Sequence, residues 1–317
     1  MKYNLLSSVF LVGAALVAGL WVVRARKSSN YLYTIGIIQT ASHPALDEAR
    51  EGFIARINTR LGGKVDCVVR NAQGSPAHAH AIAQRFHANR AITAFYAIGT
   101  PAAQAVVAVE HERPVIIAAV SDPAVLGAHQ NLCGVSDMIN MQQEIAMLHA
   151  LLPHTKTVAL LYSSGEPNAI AQVKLMKALL EGRHIQVLEV GVAQESDIPM
   201  AVSMTCRNAD VLLCPTDNTL AMAMELVASL ALAHKKPLIA CHNQAVKQGA
   251  LAARGVDYAV CGRQAADSAY AVIVEHKKPR DLSVVQPDTN TIYVNQKTLA
   301  ELRLELPDDL KKTCVLV

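Results

Sequence analysis

A short phrase repeats along this chain and limits what it can fold into: an apolar run of strand length, then a small or polar residue, then an immediate helix start. Ala94-Phe-Tyr-Ala-Ile-Gly99 passes into Thr100-Pro101. Thr100 is expected to cap a helix there and Pro101 to fill its first position, where the missing N–H costs nothing. The transition recurs where Ile116 to Val120 meets Ser121-Asp122-Pro123, where Val158 to Tyr162 meets Ser163-Ser164-Gly165-Glu166-Pro167, and where Val211 to Cys214 meets Pro215-Thr216-Asp217-Asn218. Strands that feed directly into helices imply crossover connections and a parallel sheet. In an open sheet of this kind the junctions lie at the carboxyl edge, and helix-start N–H groups face the crevice where ligands bind.

The remainder fits that plan. At 317 residues, 52% apolar and only 4% aromatic, the chain has the Val/Ala/Ile/Leu character of strands buried on both faces. From Tyr31 on, strand-like and helix-like segments alternate. Tyr33 to Ile38, Val65 to Val69, Phe95 to Ile98 and Val115 to Ala119 read as strands of a first half, with helices at Pro44 to Leu61, Ala77 to Ala88 and Ala102 to Glu110. Around Leu132 to Asp137 the register changes and the chain crosses into a second half. There the strands are Thr157 to Leu161, Gln186 to Val190, Val211 to Cys214, Pro237 to Ala240 and Gly249 to Ala253, and the helices include Thr219 to Ala233 and Gln264 to His276. Two similar halves joined without a flexible linker imply short crossings, a hinge and a cleft.

The N-terminus is different in kind. Leu5 to Val23 carries no charge and is closed by Arg24, Arg26 and Lys27, so residues 1–30 read as a signal peptide or a membrane anchor, an apolar helix that precedes the globular part. A net charge of +3, with no basic stripe or zinc-finger spacing, gives no support for nucleic acid. Seven scattered cysteines without a Cys-x-x-Cys pair read as free thiols. His78, His80 and His87 are the nearest approach to a metal cluster, but their spacing spreads them around a helix, so no metal and no cofactor is expected. No phosphate loop, nucleophile elbow or metalloprotease motif is present, and no enzymatic activity is expected.

The polar residues at strand ends carry the functional signal. Their mix of hydroxyls, amides, helix-start N–H groups and a few carboxylates suits a zwitterion. Helix starts near Thr100 and Ser136 would take its carboxylate, and Asp137 or Asp217 its ammonium. Each residue alone is also an ordinary helix cap; drawn from both halves, the set reads as one crevice. Phe95, Tyr96 and Tyr162 are the few candidates for stacking an aromatic ligand.

From Tyr33 to Pro307 the chain resembles the ABC-transporter substrate-binding proteins of the type I periplasmic-binding fold, in the branch associated with tryptophan and tyrosine. The resemblance rests on Gln39, His43-Pro-Ala-Leu-Asp47, Ala49-Arg-Glu-Gly-Phe53, Asn71-Ala-Gln-Gly74, Thr100-Pro-Ala-Ala-Gln104, Asp122-Pro123 and Gly134-Val-Ser-Asp137. It continues through Gly165-Glu166 with Asn168, Pro215-Thr-Asp-Asn218 and Gly249-Ala-Leu-Ala252. Cys241-His242 stands where the family more often carries Ser-Asp. The resemblance implies an α/β chain of two Rossmann-like lobes with parallel sheets and a hinge. Residues 31–136 with about 262–283 would form lobe 1, and 137–261 with about 284–317 lobe 2. It implies a monomeric binder, periplasmic or membrane-anchored facing the periplasm, that captures an amino acid, aromatic or not, or a similar small zwitterion in the interlobe cleft and presents it to an ABC permease. The implied ligand-binding residues are Gln39, Thr40, Asn71, Thr100, Ala102, Ser136, Asp137, Glu166, Asn168, Thr216, Asp217 and Asn218. A membrane-tethered sensor of the same fold, and a cleft enzyme, are the alternatives.

Overall fold

The structure is a computed structural model that describes residues 31–286 and 291–317; the expected N-terminal helix lies outside the described residues. Residues 33–317 form one compact unit. Its first sheet is built from β1 (Tyr33–Gln39), β2 (Val65–Asn71), β3 (Ala94–Ile98), β4 (Val115–Val120) and β5 (Leu132–Ser136), in the order β2-β1-β3-β4-β5. All of its pairings are parallel. Every residue of β3 and β4 is buried, because helices cover both faces: α1 (Pro44–Arg60) on one, α2 (Pro76–Ala88) and α3 (Thr100–Val107) on the other. This is the environment that selects unbroken Val/Ile/Ala runs.

After α4 (Met141–Leu151) the plan repeats with β6 (Thr157–Ser163), α5 (Pro167–Glu181), β7 (Gln186–Val192), α6 (Ile198–Thr205), β8 (Val211–Leu213), α7 (Asn218–Met222) and α8 (Met224–Ala233). It continues through β9 (Leu238–His242), α9 (Asn243–Lys247) and β10 (Ala252–Val256) to α10 (Tyr258–Ile273). The chain ends with β11 (Ile292–Val294), α11 (Gln296–Glu301), α12 (Asp308–Lys311) and β12 (Cys314–Leu316). The second sheet runs β12-β11-β10-β9-β8-β6-β7.

This second sheet corrects the expectation of purely parallel sheets, since β11 pairs with β10 antiparallel. The cause is the placement of α10, which follows β10 but packs on α1, β4 and β5 of the first sheet. No crossover helix then returns the chain to the second sheet in the parallel sense. Three local boundaries also differ. The strand expected at Gly249 to Ala253 lies at β10, the helix expected at Thr219 to Ala233 breaks at Ala223, and the last long helix starts at Tyr258 rather than Gln264. The Asp257 side chain sets that last start, accepting the Val260 N–H at 3.0 Å.

Among the described residues the chain leaves the first sheet after β5, returns to it between β10 and α10, and lies along β5 again at Val285. There the Ser136 N–H donates to the Val285 carbonyl and the Val285 N–H to the Gly134 carbonyl, each at 2.9 Å. One apolar cluster extends from Ile35 on β1 through Tyr258 and Ala265 on α10 to Val294 on β11, so a single core serves both sheets. Among the described residues no helix is long and apolar enough to cross a membrane.

Candidate functional site

The strand tips of the two sheets face one cavity. Its walls come from His43, Leu46, Thr100, Ala119 and Ser121 on the first-sheet side and from Asn168, Thr216, Asp217, Asn218, Ala221 and His242 on the second. Asp137, on the crossing after β5, and Tyr258, at the start of α10, close it between them. Its free volume is about 10 Å³, no more than the room a single water needs.

Of the expected ligand-binding residues, Thr100, Asp137, Asn168, Thr216, Asp217 and Asn218 line this cavity. Gln39, Thr40, Asn71, Ala102, Ser136 and Glu166 do not, and their polar groups serve the local architecture. Gln39 Nε2 donates to the Ala41 carbonyl at 2.6 Å and to Asp47 at 2.9 Å, while its Oε1 accepts from Arg50 at 2.8 Å. Thr40 Oγ1 accepts the Ala102 N–H at 3.1 Å, so that helix-start N–H is already engaged. Asn71 Oδ1 takes the Gln73 N–H at 2.6 Å and Ser136 Oγ the Met138 N–H at 2.9 Å. Thr100 is not the cap of α3; Gly99 is, at φ 89°, and a Cβ there would lie 2.6 Å from Thr40 Oγ1. The turn is tighter than a threonine cap allows.

Glu166 lies just behind the wall and organises it. Its carboxylate accepts from the Asn218 N–H at 3.0 Å, Asn218 Nδ2 at 2.7 Å, and the Thr219 N–H and hydroxyl at 2.9 Å each. Asp217 is equally occupied: Oδ2 accepts the Ser163 N–H at 2.5 Å and Oδ1 the Leu220 N–H at 2.9 Å. Burial, and then the neighbouring Glu166 charge, push the Asp217 pKa up to about 8.

Asp137 differs in having one oxygen free. Tyr258 Oη donates to its Oδ2 at 2.7 Å, whereas the buried Oδ1 has no partner. Burial raises the Asp137 pKa, and the Tyr258 and Ser121 hydroxyls work against that rise. His43 Nδ1, Ser121 Oγ, Asn168 Oδ1 and Thr216 Oγ1 are likewise buried without a partner, and their residues line the same cavity. Buried polar atoms left unpaired cost about 1–3 kcal/mol each, so their convergence marks capacity reserved for something else. No lysine or arginine is among the lining residues.

His43, His242 and Tyr258 are absent from the expected set. His242 Nδ1 accepts the Ala245 N–H at 3.1 Å, capping α9, and its ring meets Tyr258 edge-on at 6.1 Å. Burial first, and His43 second, bring the His242 pKa down to about 3, so the ring is neutral. One sequence signal pointed here: His242 ends β9, a strand tip like the others. The expected stacking residues are corrected. Tyr96 is stacked on Phe53 in the core at 3.9 Å, Phe95 is fully buried under Arg113, and Tyr162 is not among the lining residues. Among the described residues no group of three metal-ligating side chains occurs, and His87 is paired with Glu110 at 3.0 Å.

Comparison with known proteins gives consistent relatives. Residues 34–316 match the family model described as ABC transporter substrate binding protein. A tyrosine-binding protein of Clostridioides difficile is 31% identical over 281 residues, covering 86% of this chain and 81% of the relative. A Streptococcus pneumoniae ABC domain solved in complex with L-Trp is similar at TM-score 0.84 and 28% identity, covering 90% of this chain and 99% of that one. The ligand-free, open structure of a Clostridium difficile substrate-binding protein with adhesive properties is similar at TM-score 0.68 and 30% identity, with the same coverage.

Proposed function

This chain belongs to the ABC transporter substrate-binding proteins, and from that premise we propose that it captures a tyrosine- or tryptophan-like amino acid between two lobes and delivers it to a membrane permease. One observation carries the reading: five unpaired buried polar atoms, drawn from both sheets and the crossing, belong to residues lining a cavity with no cationic side chain. Asp137 is the residue for the ammonium, because its Oδ1 is free while both Asp217 oxygens are engaged by backbone. The hydroxyls of Thr100, Ser121 and Thr216 are the groups for the carboxylate. Leu46, Ala119 and Ala221 offer apolar wall to a side chain, with the Tyr258 and His242 rings beside them.

Lobe 1 comprises 31–136 with about 262–283, and lobe 2 comprises 137–261 with about 284–317. The packing of α10 on α1 and the pairing of β11 with β10 support that division. The cavity is too narrow for an aromatic ring with the walls as they stand, so ligand enters when the lobes part and then stabilises the closed pairing. The backbone superposes better on the L-Trp complex than on the open ligand-free relative, which supports reading this arrangement as the closed one. The delivery role places the globular unit on the outer side of a membrane, in the periplasm or tethered there.

The test is calorimetric titration of the purified protein with a panel of amino acids. L-tyrosine or L-tryptophan is expected to bind with a dissociation constant of about 1 µM or tighter. Absence of both heat and thermal stabilisation with every member overturns the reading.

A further inference from the structure

A chain of hydrogen bonds fixes the proton on a histidine that faces the cavity. Glu166 Oε2 accepts from Asn218 Nδ2 at 2.7 Å, so the other end of that amide, Oδ1, is an acceptor. His43 Nε2 lies 3.4 Å from this Oδ1 and must be the donor. The tautomer follows: with Nε2 protonated, a neutral His43 carries a bare lone pair on Nδ1. Burial lowers the His43 pKa and outweighs the opposing pull of the Asn218 bond and the Asp47 and Glu166 charges, which keeps the ring neutral. His43 is only 6% exposed, and its Nδ1 has no partner.

We propose that His43 is a specificity-determining residue for the amino-acid ligand, its Nδ1 lone pair accepting one N–H of the ligand ammonium whose charge Asp137 balances. The inference rests on the binding reading above and assigns within it a residue role that geometry alone supplies. An ammonium brings three N–H donors, and the cavity holds acceptors to match in His43 Nδ1, Asp137 Oδ1 and Asn168 Oδ1. A ligand lacking the amino group leaves them unpaired, and rejection by unpaired buried polar groups is far stronger than rejection by shape. Because Asn218 and Glu166 belong to the second-sheet side, the tautomer that reads the ammonium is set only when the two sides are together.

The experiment compares L-tyrosine and L-tryptophan with their des-amino analogues, the corresponding arylpropanoates, in wild type, His43→Gln and His43→Asn. Glutamine places an amide N–H near the Nε2 position and keeps the Asn218 contact without an acceptor at Nδ1. Asparagine places its carbonyl oxygen near Nδ1 and gives up the Asn218 contact. In the wild type the amino acid is expected to bind at least ~100-fold tighter than its analogue. In His43→Gln that ratio should fall by about 10-fold or more, from the lost bond to a charged group. In His43→Asn both ligands should weaken together, with the ratio within about 3-fold of wild type. Equal weakening of both ligands in His43→Gln overturns the proposal, since a purely structural role predicts it. An asparagine variant as indiscriminate as the glutamine one also overturns it. If the wild type binds neither amino acid, the binding reading fails first, and that is visible before any variant is made.

Discussion

Asp137 and Glu110 are both buried acids, and their surroundings give them opposite tasks. Burial would raise Glu110, but the backbone N–H groups of Arg113 and Glu112, the His87 ring and the Arg113 guanidinium together hold its pKa down at about 2. A carboxylate depressed on folding adds stability above its unfolded pKa, and that stability is lost as pH falls through the folded value. Thermal midpoints of the wild type should therefore drop between about pH 4.5 and pH 2. Glu110→Gln should be less stable at neutral pH by about 2–3 kcal/mol and lose that part of the acid dependence, as pH-resolved thermal melts would show. Asp137 has no cation beside it and one free oxygen, so Asp137→Asn should fold yet weaken amino-acid binding on the order of 100-fold in calorimetry. Residue types at strand tips were legible in the sequence; whether each was already engaged was not. Gln39 and Asn71 look no different from Thr216 until Arg50 and the Gln73 N–H are seen to occupy them. Tyr258 falls outside the strands and helices expected from the sequence, and only the fold brings it to Asp137, 121 residues away in sequence.

The elements that hold the first-sheet side together meet at a close helix crossing. A Cβ on Gly262 of α10 would lie 2.1 Å from the Ala49 carbonyl oxygen of α1, and one on Gly52 of α1 would lie 2.5 Å from the Ala259 carbonyl oxygen. Each helix presses a glycine against the other's backbone, which leaves no flexible atom to yield. Gly262→Ala should therefore cost at least about 2 kcal/mol, measured by denaturant unfolding with unchanged slope. A loss below about 0.5 kcal/mol would mean the helices slide apart freely. Alternation of strands and helices was readable because period and capping are local properties. This pair of glycines was not, because they are 210 positions apart and only the fold brings their two helices together. The same limit hid the antiparallel β11: the decision is made by where α10 packs, not by anything in β11.

At the scale of the whole molecule, the two sides are joined away from the cavity as well as through it. Glu48 of α1 accepts from Gln244 of α9, and Lys247 Nζ lies 3.8 Å from the same oxygen. Glu48 does not line the cavity, so on the proposed two-lobe reading this contact stabilises closure without touching a ligand. Apparent affinity equals the intrinsic value scaled by the fraction of competent molecules, and a latch of this kind sets that fraction. Both side chains are partly exposed, at 31% for Glu48 and 49% for Lys247, which limits the ion pair to about 1 kcal/mol or less. Glu48→Ala should accordingly weaken every ligand by the same factor, roughly 2–5-fold. The ratio between an amino acid and its des-amino analogue should stay where it was, unlike in His43→Gln. Small-angle scattering of the ligand-free variant should show a larger radius of gyration than the wild type, converging with it when L-tyrosine is added. Identical scattering and identical affinity would mean that closure is governed at the crossings alone, where Val285 lies along β5.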